Sequence, residues 1–250
     1  MESEVIFIIM RTKGNLKYGC NSSYFDAIDT EEKAYILGLF YTDGNVASKG
    51  NRVCLGMNDK DVVEFVKKSL EATHPIHVIN DIRTRNLHYR LNICNEALHT
   101  SLIKLGCIPS KSQTIEFPHP NIVPRHLLRS FVLGCFDGDG AIFSSDNRNF
   151  TWHFIGTKSM CDGIASHIKE NLDVDVNVKP VRKSAFLYQM RCWKRDSIFK
   201  ILSHLYHTSA FKMDRKFITF AKIKALVEFR PTDQYWVNRK RNERGEFIYG

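Results

Sequence analysis

The 250-residue sequence has no apolar run approaching the roughly 20 residues that span a bilayer. Its longest early run, Val5 to Met10, is too short for the core of a signal peptide, and Glu2 and Glu4 stand where such a peptide carries positive charge. These absences predict a protein that neither enters a membrane nor is secreted. No CxxC motif occurs, and the seven cysteines, Cys20, Cys54, Cys94, Cys107, Cys135, Cys161 and Cys192, are odd in number and widely spaced. Such spacing argues against a disulfide framework or a zinc site and for reduced thiols within the core. His204 and His207 form HxxH without flanking ligand candidates, so a hydrogen-bonded or surface pair is expected there and not zinc. Acids are also in deficit, 27 against 36 Lys and Arg, for a net charge of +9. That field favours polyanionic partners without choosing among DNA, RNA and an anionic membrane. With 43% hydrophobic and 25% charged residues the chain has the composition of an ordinary globular protein, long enough for one large or two small domains.

What is present is a sequence written twice. Ile36 to Gly44 (ILGLFYTDG) and Val132 to Gly140 (VLGCFDGDG) agree at Leu, Gly, Phe, Asp and Gly in identical positions. The similarity continues from Val53–Val62 to His153–Asp162, with Gly56 aligned to Gly156, and from His88–Ile93 to Leu187–Cys192. Extra residues of the second copy fit the polar stretch Ser144 to Asn149, which reads as a hairpin tip. Between the copies lies Phe117 to Pro124 (FPHPNIVP), whose prolines break helix and cannot sit inside a sheet. The boundaries that follow are an extension over 1–30, a first repeat over 31–123, a second over 124–230 and a basic tail over 231–250. Each copy reads as helix, two strands, helix, two strands, helix from its apolar period. The first helix is expected to open after Asp29 with Glu32 as a capping-box partner. Asp61–Leu70 and Met160–Leu172 read as helices covering the sheets. In 86–93, Leu87, Tyr89, Leu91 and Ile93 point one way while Asn86, His88, Arg90 and Asn92 point the other, giving an apolar and a polar, basic face.

The two matching helices each carry small residues four apart, Gly38 and Thr42 in one and Gly134 and Gly138 in the other. Small side chains on one face let helix backbones approach closely, so these four are the expected helix interface. Packed about a pseudo-twofold axis, the helices bring Asp43 and Asp139 out together at one end. An acid at a helix C-terminus costs roughly 0.3 to 1 kcal/mol even before the second acid repels it. Asp-Gly is an ordinary helix-ending dipeptide, which explains either site singly but not both at one seam. A divalent cation would resolve the conflict: Mg²⁺ takes one or two carboxylates and completes its shell with water and phosphate oxygens. It would also polarise a phosphodiester and acidify an attacking water.

The segments ILGLFYTDG and VLGCFDGDG resemble the paired signature helices of the LAGLIDADG homing endonucleases, and the repeated layout extends the resemblance over about 200 residues. Tyr24 to Gly44 also resembles intron-encoded and free-standing bacterial and phage members. The resemblance implies an α+β fold of duplicated αββαββα units with two antiparallel four-stranded saddles astride double-stranded DNA. It implies a monomer that uses Mg²⁺ or Mn²⁺ at Asp43 and Asp139 to make a double-strand break with short 3′ overhangs. It places Asn58 and Lys158 beside the acids at the end of the second strand, and Lys111 and Lys216 before the last helix, with Lys212 an open alternative to Lys216. Tyr41 departs from the pattern, standing where many members carry an earlier acid. By the same resemblance the protein works in the cytoplasm or nucleoid of a bacterium or phage-infected cell, or in an organelle matrix.

Reading a long DNA site falls to the polar strand faces, where Arg52, Arg83, Arg85, Arg90, Arg148, Arg182, Lys183 and Arg191 are the candidates for base or phosphate contact. Two alternatives stay open: an RNA-binding maturase with intron RNA as partner, and a DNA-binding regulator without catalysis. Intact acids in both copies favour the nuclease. No splicing blocks flank the repeats, which argues against an intein. The tail, with Tyr235, Trp236, Arg239, Lys240, Arg241 and Arg244, receives no role from the sequence.

Overall fold

The computed structural model describes residues 17–81, 86–144, 149–182, 184–207 and 209–228. Arg83, Arg85, Arg148, Lys183 and the basic tail lie outside them. The first half runs α1 (Glu31–Thr42), β1 (Gly44–Val46), β2 (Arg52–Met57), α2 (Lys60–Ser69), β3 (Ile76–Asp81), β4 (Asn86–Cys94) and α3 (Glu96–Lys104). The second runs α4 (Leu128–Asp139), β5 (Gly140–Ser144), β6 (Phe150–Gly156), α5 (Lys158–Leu172), β7 (Val178–Pro180), β8 (Tyr188–Cys192), α6 (Arg195–Tyr206) and α7 (Asp214–Glu228). The strands form two antiparallel four-stranded sheets of identical topology, β1-β2-β4-β3 and β5-β6-β8-β7. The fold is α+β and doubled. The halves differ after their third helices, where the first has a short 3₁₀ turn at Lys111–Gln113 and the second has the 15-residue α7.

Helix α1 opens at Thr30, whose hydroxyl accepts from the Lys33 N–H, one residue later than the sequence suggested. Asp29 is free to pair with Lys33 at 2.8 Å, and Glu32 accepts from the Tyr24 hydroxyl and closes no capping box. Glu31 and Glu32 in the first turn complement the helix dipole. From Ala34 to Tyr41 every residue of α1 is buried, and so is every residue of α4 from Ser130 to Asp137. Helices apolar on all sides belong in a protein's centre. Here they are each other's principal neighbour, with one sheet on each flank.

Two glycines permit that pairing. A Cβ on Gly38 would sit 2.3 Å from the Phe131 carbonyl oxygen, and one on Gly134 would sit 2.0 Å from that of Tyr35. One helix turn on, a Cβ on Gly138 would lie 2.0 Å from Thr42 Oγ1. Each helix then passes straight into its first strand at Gly44 or Gly140, where a Cβ would overlap the backbone of Phe40 or Phe136.

The sheets lay their apolar faces on the outer helices. In β2, Val53, Leu55 and Met57 are buried while Arg52, Cys54 and Gly56 are not, and in β6 Phe150, Trp152 and Phe154 are buried while their neighbours are less so. Leu91 and Ile93 are buried as the alternation requires, whereas Leu87 at the far end of β4 stays 46% exposed. Phe117, in the proline-rich connection, packs its ring edge-on against Phe131 and over Gly163, so this segment is part of the core. All seven cysteines are free thiols. Among the described residues no helix is long and apolar enough to cross a membrane.

Gly134→Ala should be strongly destabilising. Alanine gains about 1 kcal/mol of helix propensity over glycine, but its methyl meets a backbone oxygen that cannot move without parting the helices. A net loss of about 3 kcal/mol or more is expected in urea denaturation. Gly19→Ala, with nothing within 4 Å of the new Cβ, should stay within about 0.5 kcal/mol of wild type.

Candidate active site at the helix seam

The last residue of α4 is Asp139, and Asp43 is the residue that closes α1, its N–H bonded to the Leu39 carbonyl at 2.9 Å. Because the helices touch along the glycine face, their C-terminal ends emerge side by side. The Cβ that Gly138 lacks would lie 2.8 Å from Asp43 Oδ2, so the first acid lies against the second motif. Asp43 is half-buried, and its carboxyl is pushed up to about 7, chiefly by burial and then by the charge of Asp139, with Lys216 and Lys111 opposing. Asp139 is more exposed, yet protein packed around it also raises its carboxyl, against the same two lysines. Two acids at the negative ends of two helices therefore resist ionising together.

Two buried lysines underlie the pair. The Lys111 ammonium donates to the carbonyls of Thr42 at 3.2 Å and Gly44 at 2.5 Å, bracketing Asp43. Ser110 reaches the left-handed region, φ 57°, to turn the chain into that position. The Lys216 ammonium donates to the carbonyls of Phe136 at 2.5 Å and Asp137 at 2.7 Å. Burial lowers both amines, Lys216 to about 8 with Asp137 opposing. Of the two candidates in that segment, Lys216 is the one beside the acids, while the Lys212 ammonium lies over the Phe217 ring at 3.9 Å.

Asp137, which the sequence reading passed over, is fully buried in α4. It accepts from the hydroxyls of Tyr35 at 3.0 Å and Tyr206 at 3.1 Å and from the Met213 N–H at 2.9 Å. Those bonds tie α1, α6 and the start of α7 to one carboxylate and hold Lys216 in place. Its place in the first motif is taken by Tyr41, which donates to the Leu105 carbonyl at 2.6 Å. The available signal was an acid embedded in an otherwise apolar helix.

A cavity of about 940 Å³ opens beside Asp43 and is lined by Asn58, Asp59, His88, Met213 and Arg215. Another of about 410 Å³ opens beside Asp139 and is lined by Lys111, Ser112, Thr157, Ile155 and Leu187. Asn58 is thus in the site, 3.1 Å from His88 Nδ1. Lys158 lines neither cavity: it is the exposed first residue of α5, paired with Asp162 at 2.5 Å. The sequence alignment had run two residues out of step there. The second helix opens at Lys60 in one half and Lys158 in the other, and each lysine pairs with an acid four residues on, so Lys158 corresponds to Lys60 and not to Asn58.

On the sheet faces turned away from the helices, Arg52 and Arg90 are exposed in the first sheet and Arg191 in the second, with Arg182 exposed just beyond β7. Arg90 stands opposite His77, and Arg191 opposite His153. His204 meets His167 of α5, their Nε2 atoms 3.1 Å apart, and the His207 carbonyl accepts from Arg129. Among the described residues no three His, Cys, Asp or Glu side chains converge to hold a metal. The seam itself offers the carboxylates of Asp43 and Asp139, while His88 and Asp59 in the adjoining cavity are engaged with Asn58 and Arg215. The carboxylate pair fits a hard divalent cation such as Mg²⁺ or Mn²⁺, its shell completed by water and substrate oxygens.

The raised carboxyl of Asp43 has a signed consequence. Its value is about 7 in the folded protein against 3.8 for the free group, so between those pH values the folded chain holds a proton that the unfolded chain has lost. Stability falls as pH rises through that window and stays reduced above it. Without divalent metal, Asp43→Asn should raise the melting temperature more at pH 8 than at pH 5. An equal gain at both would contradict the shift.

Residues 30–102 match the LAGLIDADG-like domain family. No curated protein matches the sequence. Among solved structures the chain is similar to full-length DUF199/WhiA from Thermatoga maritima, at 12% identity over 87% of this chain and 69% of that one, with a TM-score of 0.52. It is also similar to the meganuclease I-SmaMI bound to uncleaveable DNA, at 11% identity over 78% of this chain and 89% of that one, with a TM-score of 0.50. At those identities the shared property is the fold. Residues 30–102 thus match a LAGLIDADG-like domain, and the second half repeats the strand order of the first.

Proposed function

We propose that this protein is a site-specific homing endonuclease that hydrolyses both strands of a long double-stranded DNA target, leaving short 3′ overhangs. The observation that carries the reading is the pairing of Asp43 and Asp139 at one seam over two buried lysines, with an open cavity beside each acid. A divalent cation bound there, Mg²⁺ or Mn²⁺, would neutralise the acids, polarise the scissile phosphate and acidify the attacking water. In the reaction water adds to phosphorus, the bond to the 3′ oxygen breaks and that oxygen takes up a proton. Asp43 and Asp139 each serve one strand. Lys111 and Lys216 add positive charge beneath the phosphates while spending their protons on main-chain carbonyls, which fixes their positions. I-SmaMI, which shares the fold, was captured on DNA.

The polar sheet faces supply the binding surface. Arg52, Arg90, Arg182 and Arg191 reach phosphates or base edges, and one monomer holds both halves of the target. Affinity should fall linearly on a log–log plot against salt.

Selection from a randomised DNA library, with Mg²⁺ and then with EDTA, tests the reading. Wild type is expected to make metal-dependent double-strand breaks at one long site. Asp43→Asn and Asp139→Asn should each cut more slowly, on the order of a hundredfold or more, while binding persists. Specific binding without cutting by wild type would refute the nuclease and leave a DNA-binding regulator. Preference for structured RNA over DNA would point to a maturase.

A further inference from the structure

The two halves of the seam are unlike in a way their shared topology does not require. Arg215, in the first turn of α7, reaches across to the first half and grips Asp59 with Nε to Oδ1 and Nη2 to Oδ2, both at 3.1 Å. The same Nη2 touches the Met213 sulfur at 3.2 Å. Its other N–H groups have no protein acceptor among the described residues, and the side chain lines the cavity beside Asp43 while remaining 63% exposed. Asp59 is only 15% exposed, so the fork is held from a firm base. A guanidinium fixed on one edge by a carboxylate and open on the others is preorganised for a phosphate.

Among the described residues the Asp139 side has no such group. The residue that caps α5, as Asp59 caps α2, is Thr157, whose hydroxyl donates to the Ile115 carbonyl and accepts from the Met160 N–H. The residue before Lys111, as Arg215 precedes Lys216, is Ser110. Where Asn58 and His88 face the first cavity, the second is walled by Gly156 and Leu187. The cation lining that second cavity, Lys111, is committed to the carbonyls of Thr42 and Gly44.

Resting on the endonuclease reading above, we propose that Arg215, braced by Asp59, clamps the scissile phosphate on the Asp43 side alone. One strand is therefore held more firmly at the site of reaction and is cut first, with a nicked duplex as the intermediate. Each strand is hydrolysed by the same reaction, and only the order differs.

Methylphosphonate substitution removes the charge of one phosphate at a time, and its effect on affinity can be read in EDTA, where nothing is cut. On wild type, neutralising one of the two scissile phosphates should weaken binding about tenfold more than neutralising the other, the scale of one charge-assisted hydrogen-bonded pair. With Arg215→Met, a substitution at an exposed side chain, the two should cost the same. In Mg²⁺ the strand carrying the more sensitive phosphate should be nicked first by wild type, and the lead should shrink in the variant. Equal sensitivity of both phosphates in wild type, or a difference that survives Arg215→Met, would overturn the clamp while leaving the endonuclease intact. Binding with the expected asymmetry but no cutting with any divalent ion would remove the endonuclease and with it the order of cutting, leaving Arg215 as a phosphate contact alone. Failure to bind DNA at all would overturn both.

Discussion

The close approach of α1 and α4 is the constraint on which the rest depends. Gly38 and Gly134 bring a backbone carbonyl of each helix to where the other would carry a side chain, so the separation is fixed by main-chain contact. That contact lies at the centre of the buried stretches Ala34–Tyr41 and Ser130–Asp137, with one sheet on each flank. It also forces their C-terminal ends, each finishing in an acid followed by glycine, to emerge together. The acids owe their closeness to a packing requirement, which is a firmer basis than a loop could provide.

The electrostatics follow from that placement. Burial raises both carboxyls, the charge of Asp139 raises Asp43 further, and two lysines buried beneath them answer only part of this. Each ammonium is anchored on carbonyls at a motif's end, so the positive charges are immobile and the negative ones face open cavities. Near Lys216 lies the buried Asp137, whose charge acts on that amine and whose side chain gathers α1, α6 and the start of α7. A site built this way suits an incoming hard cation whose shell is completed by further oxygen ligands.

Most of this architecture was legible in the sequence because its signals are local and occur twice. The small residues four apart, the Asp-Gly ends and the alternating strands each span fewer than about ten residues, and repetition converted weak patterns into a fold. The features that escaped depend on distant partners. Asp137 looks like a stray acid until Tyr35, Tyr206 and Met213, which lie 102, 69 and 76 residues away, converge on it. Arg215 and Asp59 are separated by 156 residues. Lys158 misled for another reason: Gly56 and Gly156 match as letters, but hairpin lengths differ, and only the helix starts at Lys60 and Lys158 restore the correspondence.

The central claim is that backbone-limited packing places Asp43 and Asp139 close enough to share one charge problem. Carbon-13 NMR titration of the aspartate carboxyls, without divalent metal, in wild type and Asp139→Asn, measures this most directly. The account predicts that Asp43 titrates near 7 and moves down when Asp139 is neutralised. An Asp43 that titrates near 3.8 and is indifferent to Asp139 would contradict it.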